Sequence, residues 1–256
     1  MIRGIAARSL GLLPILGLLL AWQLAADAGV YSAVLLPPPL AVLQAFRDSP
    51  GEIAQHMLAS LARVAIGVGC AFAVAVPLGL LIGRYAWLDR LTDWSIQMFR
   101  SFPPISLIPL ALLFFGIGDK PAIVLIFLSA FWPLLINTIF GVRSVERTLL
   151  RVARAARASE ALVLADVILP AALPAVFTGL RLAIGAGWLT VVTAEMIAVR
   201  SGLGYMILNA QMTFRSDLII AGIVVIGLVG LAADQGVRAI RARLCRWQEG
   251  LTASPE

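Results

Sequence analysis

Six long stretches of this chain contain almost no charged residue, and they constrain its fold more than any other feature. A helix needs about 20 apolar residues to cross the hydrocarbon core of a bilayer. Because lipid offers the backbone no hydrogen-bond partner, such stretches are expected to be helical. The sequence therefore predicts an all-α, polytopic membrane protein with about six transmembrane helices, over residues 9–26, 64–83, 101–118, 121–142, 167–194 (interrupted by Arg181) and 218–233.

The composition agrees with a membrane protein. Hydrophobic residues make up 61% of the 256 residues and charged residues 13%, whereas soluble domains average roughly half and a quarter. The net charge of +6 does not predict nucleic-acid binding, because the basic residues form no dense tract and cytoplasmic loops of membrane proteins carry the same charge. Cys70 and Cys245 lie in an apolar run and a basic tail, and they predict no disulfide.

The distribution of arginine predicts the orientation of the chain, since cytoplasmic loops are enriched in basic residues. With the N-terminus inside, the outer side carries five basic residues: Arg47, Arg63, Lys120, Arg200 and Arg215. The cytoplasmic side carries thirteen: Arg3, Arg8, Arg84, Arg90, Arg143, Arg147, Arg151, Arg154, Arg157, Arg238, Arg241, Arg243 and Arg246. We therefore expect both termini, including a tail over 238–256, in the cytoplasm.

The first apolar run has two interpretations. Two arginines followed by an apolar stretch and Ala26-Asp27-Ala28 also fit a cleavable signal peptide over about residues 1–28. The run is long for such a peptide, so we expect a retained helix. Downstream, over about residues 27–62, three consecutive prolines at 37–39 favour an extended stretch. After them the pattern predicts two short amphipathic helices along the outer surface, over 40–46 and 53–61.

A basic segment over about residues 143–170 predicts a cytoplasmic helix–turn–helix. On a helical wheel, Arg147, Arg151 and Arg154 share one face. After a break near Arg157 and Ala158, Ser159 suits a helix N-cap, an apolar pattern at helical spacing follows, and Pro170 is expected to end it. The apolar positions are Leu149, Val152, Ala153 and Ala156 in the first helix, and Ala161, Leu164, Ala165 and Ile168 in the second.

Two interpretations of this segment are open. A charged loop helix commonly rests on lipid headgroups. Two short helices in tandem, each with an apolar face that it cannot bury alone, instead predict a docking surface for a cytoplasmic partner.

Ordered motifs along nearly the whole chain make it similar to a known family. The sequence resembles the membrane permease subunit of bacterial ABC importers, in the nitrate, sulfonate and taurine branch. The motifs are Leu36-Pro37-Pro38-Pro39, Arg100-Ser101-Phe102-Pro103-Pro104, Phe115-Gly116-Ile117-Gly118, Asn137-Thr138, Gly141-Val142-Arg143-Ser144-Val145, Ile168-Leu169-Pro170-Ala171-Ala172-Leu173-Pro174, Gly179-Leu180-Arg181, Ala194-Glu195-Met196 and Gly202-Leu203-Gly204-Tyr205.

The resemblance implies a single permease domain over 1–256 with the type I ABC importer fold, in the bacterial inner membrane. It implies a second permease copy, a cytoplasmic ATPase dimer that binds ATP and Mg²⁺, and a separate substrate-binding protein. The family's cytoplasmic signature, the EAA loop, is only half matched. Arg151-Val152-Ala153 stands in place of Glu-Ala-Ala, and Arg157 stands in place of a glycine. Because glycine adopts a positive φ without strain, arginine at that turn should cost on the order of 1 kcal/mol.

The energy source for transport is not found in this chain. None of the fourteen Asp and Glu residues falls in the middle of a predicted span, which argues against an ion-coupled secondary transporter. The chain lacks a G-x-x-x-x-G-K-[ST] loop for ATP, an H-E-x-x-H zinc signature and a G-x-S-x-G nucleophile motif. We therefore expect no catalytic residue and no metal or cofactor on this chain, with hydrolysis on a separate subunit.

Several polar residues are candidates for contact with a solute. Arg100 precedes two prolines that break a helix near the membrane boundary, where a guanidinium suits an anion, although it could instead extend to lipid headgroups. Arg181 lies deep in a span and predicts either a pathway-lining group or a structural ion pair. Glu195, near the outer end of a span, predicts an outer gate, a binding-protein contact or a cap for the next helix. Further candidates are Gln97, Ser101, Asn137, Thr190 and Thr193. A small anion is expected, and a neutral heterocycle is the alternative.

Overall fold

A computed structural model describes residues 13–32 and 35–245. The beginning of the first predicted span, with Arg3 and Arg8, lies outside the described residues, and so does the tail from Arg246 onward. The described chain is helical, as predicted. Its helices are α1 (Leu13–Asp27), α2 (Pro39–Asp48), α3 (Pro50–Arg84), α4 (Ala86–Arg100), α5 (Ile108–Phe115), α6 (Asp119–Arg143), α7 (Arg147–Ala155), α8 (Glu160–Ala198), α9 (Leu203–Met212) and α10 (Ser216–Leu244).

Four of these helices, α3, α6, α8 and α10, are long and apolar enough to cross a membrane. The pair α4 and α5 provides a fifth candidate if the two together count as one span. The described residues therefore contain four or five candidate spans, where the sequence predicted about six. The described part of α1 has only 15 residues, which is shorter than the roughly 20 that a span requires.

The segment before α3 differs from the prediction. α2 matches the first expected amphipathic helix, but residues 53–61 form no separate helix. They belong to α3, which runs without a break for 35 residues into the membrane. Pro50 is tolerated there because the first turn of a helix does not use its backbone N–H.

The expected span over 101–118 is not one helix. α4 ends at Arg100, a 3₁₀ turn covers Pro104–Leu107, and α5 occupies only Ile108–Phe115. α4 and the segment Pro104–Phe115 are bent by 78° relative to each other. Pro103 and Pro104 cannot continue the hydrogen bonding of α4, and Pro104 sets the start of the next turn.

The prediction that Pro170 ends the second loop helix is wrong. A proline inside an α-helix clashes with the carbonyl group four residues earlier. Here Val163–Ile168 form a π-helical turn just before the proline, and such a turn rearranges the hydrogen bonding locally. α8 therefore continues from the basic loop through the candidate span as one helix of 39 residues.

The core is built around α6, which packs between α3 and α8. Small residues on α3 allow the close approach to α6. A Cβ atom on Gly79 would lie 2.7 Å from Thr138 Cβ, and Gly67 and Gly83 make similarly close approaches to α6. Two of these packed helices, α6 and α8, form the candidate site together with the bend after α4.

Candidate translocation pathway and coupling loop

A cavity of about 550 Å³ lies where the bend after α4 faces α6 and α8. Three residues that the sequence predicted as solute contacts, Arg100, Asn137 and Thr190, line this one cavity. The remaining wall is mainly apolar or aromatic. It consists of Phe102, Pro103, Pro104, Ile105, Ser129, Trp132, Pro133, Ile136, Leu182, Ala186 and Leu189.

The polar groups of the cavity differ in their availability. Arg100 is exposed and has no ion-pair or hydrogen-bond partner for its side chain among the described residues. Ser129 and Thr190 are buried and their hydroxyl groups lie 2.6 Å apart. The Asn137 amide donates to the Pro133 carbonyl at 2.8 Å. The cavity therefore offers one free positive charge beside a group of neutral polar atoms.

Three other predicted solute contacts, Gln97, Ser101 and Thr193, do not line the cavity. Gln97 is exposed and donates to Asp93 Oδ2 at 2.8 Å. Ser101 is exposed and donates to the Gln97 carbonyl at 2.9 Å. Thr193 donates to the Leu189 carbonyl within its own helix. In this structure, all three side chains make local contacts.

Arg181 lies in an ion pair and is absent from the cavity wall. Its guanidinium contacts Asp234 of α10, and Asp234 also accepts from Arg238 at 2.7 Å. This is the arrangement that the structural-pairing interpretation of Arg181 expects. The pair joins α8 to α10.

Glu195 occupies a buried polar cluster that the sequence did not reveal. Its carboxylate is fully buried and accepts from Arg63 Nη1 at 2.6 Å, from Ser60 Oγ at 2.8 Å and from the Gly204 N–H at 3.0 Å. The contact with Gly204 caps the start of α9, as the capping interpretation expects. Arg63 is 5% exposed and also pairs with Asp119 at 2.7 Å.

Ser60 and Arg63 were missed because they are far from Glu195 in the sequence. One signal was available: an isolated arginine beside a long apolar run requires a carboxylate partner if it is buried. His56 lies beside the same cluster and accepts a hydrogen bond from the Gly202 N–H through Nδ1 at 3.0 Å. The cluster therefore joins α3, α6, α8 and the loop before α9.

The basic loop forms the predicted helix, turn and helix. Arg157 occupies the turn with a φ of 55°, so arginine itself adopts the left-handed conformation for which glycine was expected. Ser159 Oγ accepts from the Leu162 N–H at 3.3 Å, which confirms the N-cap. Arg84 at the end of α3 pairs with Glu160 at 2.7 Å and ties the loop to a candidate span.

The apolar positions of the loop divide between buried and exposed. Leu150 and Ala153 pack against a cluster that includes Val142 and Val163. Leu149 and Val152, in contrast, are 48% and 62% exposed. Of the other predicted docking residues, Leu164 is half-buried, and Ala156, Arg157, Ser159, Ala161 and Ala165 are exposed.

A bundle of apolar helices with a cavity beside a broken span is the architecture of a membrane transport protein. Comparison with known proteins identifies the family. Residues 75–246 match the pattern of the binding-protein-dependent transport system inner membrane component. The chain belongs to this family.

Two relatives illustrate the similarity. The chain is 37% identical over 248 residues to the taurine transport system permease protein TauC of Escherichia coli (strain K12), which covers 93% of this chain and 89% of that protein. It is 38% identical over 248 residues to the bicarbonate transport system permease protein CmpB of Synechococcus elongatus, with 91% and 86% covered.

A solved structure supports the fold. A chain from inward-facing crystals of the MetNI methionine ABC transporter superposes with a TM-score of 0.59 at 21% sequence identity. The match covers 72% of this chain and 93% of that chain.

The family membership confirms the resemblance seen in the sequence. The chain is the permease subunit of an ABC importer and a multi-pass component of the inner membrane. It is not itself an enzyme, since ATP hydrolysis belongs to a separate ATPase subunit. A binding protein delivers the solute to the importer.

Proposed function

We propose that two copies of this chain enclose a pathway through which a small anion of the sulfonate, taurine or nitrate type crosses the membrane. The observation that carries this proposal is Arg100, which lies on the cavity wall without an ion-pair partner among the described residues. A guanidinium binds planar and tetrahedral oxyanions well. The names of the relatives point the same way, because taurine and bicarbonate both carry an anionic oxygen group.

A second copy of the chain is proposed because the cavity lacks a complete wall. Leu182 and Leu189 line it, yet they are 53% and 73% exposed. The four or five candidate spans of the described residues leave this face uncovered. Symmetric dimers are the commonest oligomers, and a second copy against this face would complete the pathway.

The cytoplasmic ATPase dimer is proposed to dock on the loop between α6 and α8. Support comes from the exposed apolar side chains on α7 and from the ion pair between Arg84 and Glu160. When the ATPase subunits close on ATP and Mg²⁺, movement of the loop would pass to α3 through this pair and to the membrane through the continuous helix α8. The docking residues are Leu149, Val152, Ala153, Ala156, Arg157, Ser159, Ala161, Leu164 and Ala165.

The orientation is proposed from the excess of arginine on one side. Both termini lie in the cytoplasm, and so does the tail over 238–256. The whole of residues 1–256 acts as one transmembrane permease domain, with an outer amphipathic segment over about 27–62.

Substitution of Arg100 tests the solute proposal. Permease, ATPase and binding protein are reconstituted in proteoliposomes, and ATP-dependent uptake of labelled taurine, ethanesulfonate, nitrate and bicarbonate is measured. We expect Arg100→Ala to reduce uptake of the accepted anion by about tenfold or more, since hydrogen bonds to charged groups contribute about 1.5–3 kcal/mol. Arg100→Lys should retain part of the activity.

Arg47→Ala provides the control, because Arg47 is exposed and lies outside the cavity. Normal uptake by Arg100→Ala, in a complex that assembles normally, would indicate a neutral solute or a guanidinium that only reaches lipid headgroups.

A further inference from the structure

Helix α7 presents three different sides. One side packs on the protein through Leu150 and Ala153. Leu149 and Val152 form an exposed apolar side. Arg147, Arg151 and Arg154 form an exposed basic side at helical spacing. The helix therefore leaves two sides of different chemistry without a partner among the described residues.

The positive charge of α7 is not neutralised within the described part of the chain. Arg147, Arg151 and Arg154 make no ion pair there, and neither does Arg157 at the turn. Other arginines do find carboxylates, as Arg84 does with Glu160. Because Glu160 is engaged by Arg84, the one acidic residue at the start of the second loop helix is not available to the arginines of α7.

Two exposed sides of this kind define the surface that would cover them. The apolar side requires an apolar slot, and the basic side requires carboxylates beside that slot, since guanidinium groups pair with carboxylates in a fixed, often bidentate geometry. Family membership supplies a cytoplasmic protein partner, the ATPase subunit. Rim charges of this kind set association rate and partner choice more than total affinity.

We infer that α7 enters an apolar slot on the ATPase subunit whose rim carries acidic side chains facing Arg147, Arg151 and Arg154. This inference rests on the proposed function, which puts the ATPase on this loop, and it adds the chemistry of the contact. A cognate ATPase is then distinguished from ATPases of other importers by the acidity of its slot.

The test measures binding of the purified ATPase to the permease in nanodiscs of phosphatidylcholine, which carries no net charge. We expect the double variant R151E/R154E to weaken binding about tenfold or more, because attraction becomes repulsion at two positions. R151K/R154K should keep most of the affinity. Binding by the natural chain should weaken as salt is raised from 50 to 300 mM, and this salt dependence should be smaller in R151E/R154E.

A matched control has the same change in charge elsewhere. Arg241 and Arg243 are exposed, make no ion pair among the described residues and lie at the end of α10. R241E/R243E should bind the ATPase as the natural chain does. Equal weakening by both double variants would show a general effect of net charge and would overturn the inference.

Further outcomes separate this inference from the proposed function. A thiol crosslink from Val152→Cys to the ATPase, with unchanged binding by R151E/R154E, would keep the docking loop and overturn the acidic slot. If Val152→Cys formed no crosslink to the ATPase, both the docking loop and the acidic slot would be overturned. R151E/R154E could instead bind the ATPase normally and differ from the natural chain only by a loss of association with phosphatidylglycerol. The arginines would then be lipid contacts, and the inference would be wrong.

Discussion

At Glu195, a full set of partners offsets the unfavourable transfer of a carboxylate into a buried membrane position. Arg63 supplies the opposite charge, and Ser60 and the Gly204 N–H supply further hydrogen bonds. The loop after α8 fits closely around this group, because a Cβ atom on Gly202 would collide with the carboxylate. The residue therefore joins α8 to α3 and to the start of α9.

Removal of this carboxylate should destabilise the protein strongly. Glu195→Ala removes the fully buried carboxylate that pairs with Arg63 and leaves the exposed Asp119 as its ion-pair partner, and breaking a buried pair costs about 3–5 kcal/mol. We expect a clearly lower midpoint of thermal unfolding in detergent. Arg215→Ala is the control, because Arg215 is half-exposed and pairs with Asp217 at 3.2 Å, and such pairs contribute about 0–1 kcal/mol. Equal midpoints for the two variants would contradict the assigned role.

The turn at Arg157 offers a second test at the level of one residue. Arg157→Gly should stabilise the fold by up to about 1 kcal/mol, since glycine adopts the observed positive φ without strain. Arg154→Gly removes the same charge inside α7 and should destabilise by about 1 kcal/mol. Denaturant unfolding of both variants gives the comparison. Destabilisation of similar size in both would show that the turn is not strained.

Residues with local roles were predicted from the sequence, and residues with distant partners were not. Ser159 caps the helix that follows it, so its role depends only on neighbours along the chain. The predicted solute contacts Arg100, Asn137 and Thr190 meet in one cavity, but their meeting depends on how three helices pack. The partner of Glu195 is 132 residues away, and local patterns contain no information on that distance.

Among the elements, the long apolar helices were predictable because their length and composition are set by the bilayer. The errors occurred where a helix boundary depends on local backbone geometry. Residues 53–61 join α3, and Pro170 is accommodated by a π-helical turn. Neither outcome changes the apolar pattern, so hydrophobicity alone does not reveal them.

The packing of α3 on α6 can be tested with two glycines of the same helix. A Cβ atom on Gly79 would lie 2.7 Å from Thr138 Cβ, whereas a Cβ atom on Gly69 would meet nothing within 4 Å. Gly79→Ala should destabilise by about 1–3 kcal/mol through overpacking. Gly69→Ala should be neutral or slightly stabilising. Thermal unfolding in detergent measures both, and a neutral Gly79→Ala would show that the helices can move apart.

On the scale of the whole molecule, the incomplete cavity wall predicts which face meets the second copy. With Cys70 and Cys245 replaced by serine, Leu189→Cys should form a dimer with a bifunctional thiol reagent that spans about 10 Å. Leu189 lines the cavity and is 73% exposed. Ile223→Cys should not form such a dimer, because Ile223 of α10 is 55% exposed but does not line the cavity. The reverse result, seen by gel electrophoresis, would move the dimer contact to another face.

The pairing of Glu195 with Arg63 and of Asp234 with Arg181 also bears on how energy enters the importer. A carboxylate that serves as a proton carrier must gain and lose its proton during each cycle. These two carboxylates are instead ion-paired with arginines, and the family places ATP hydrolysis on a separate subunit. Uptake is then expected to continue in vesicles whose proton and sodium gradients have been dissipated, provided that nucleotide is present on the cytoplasmic side.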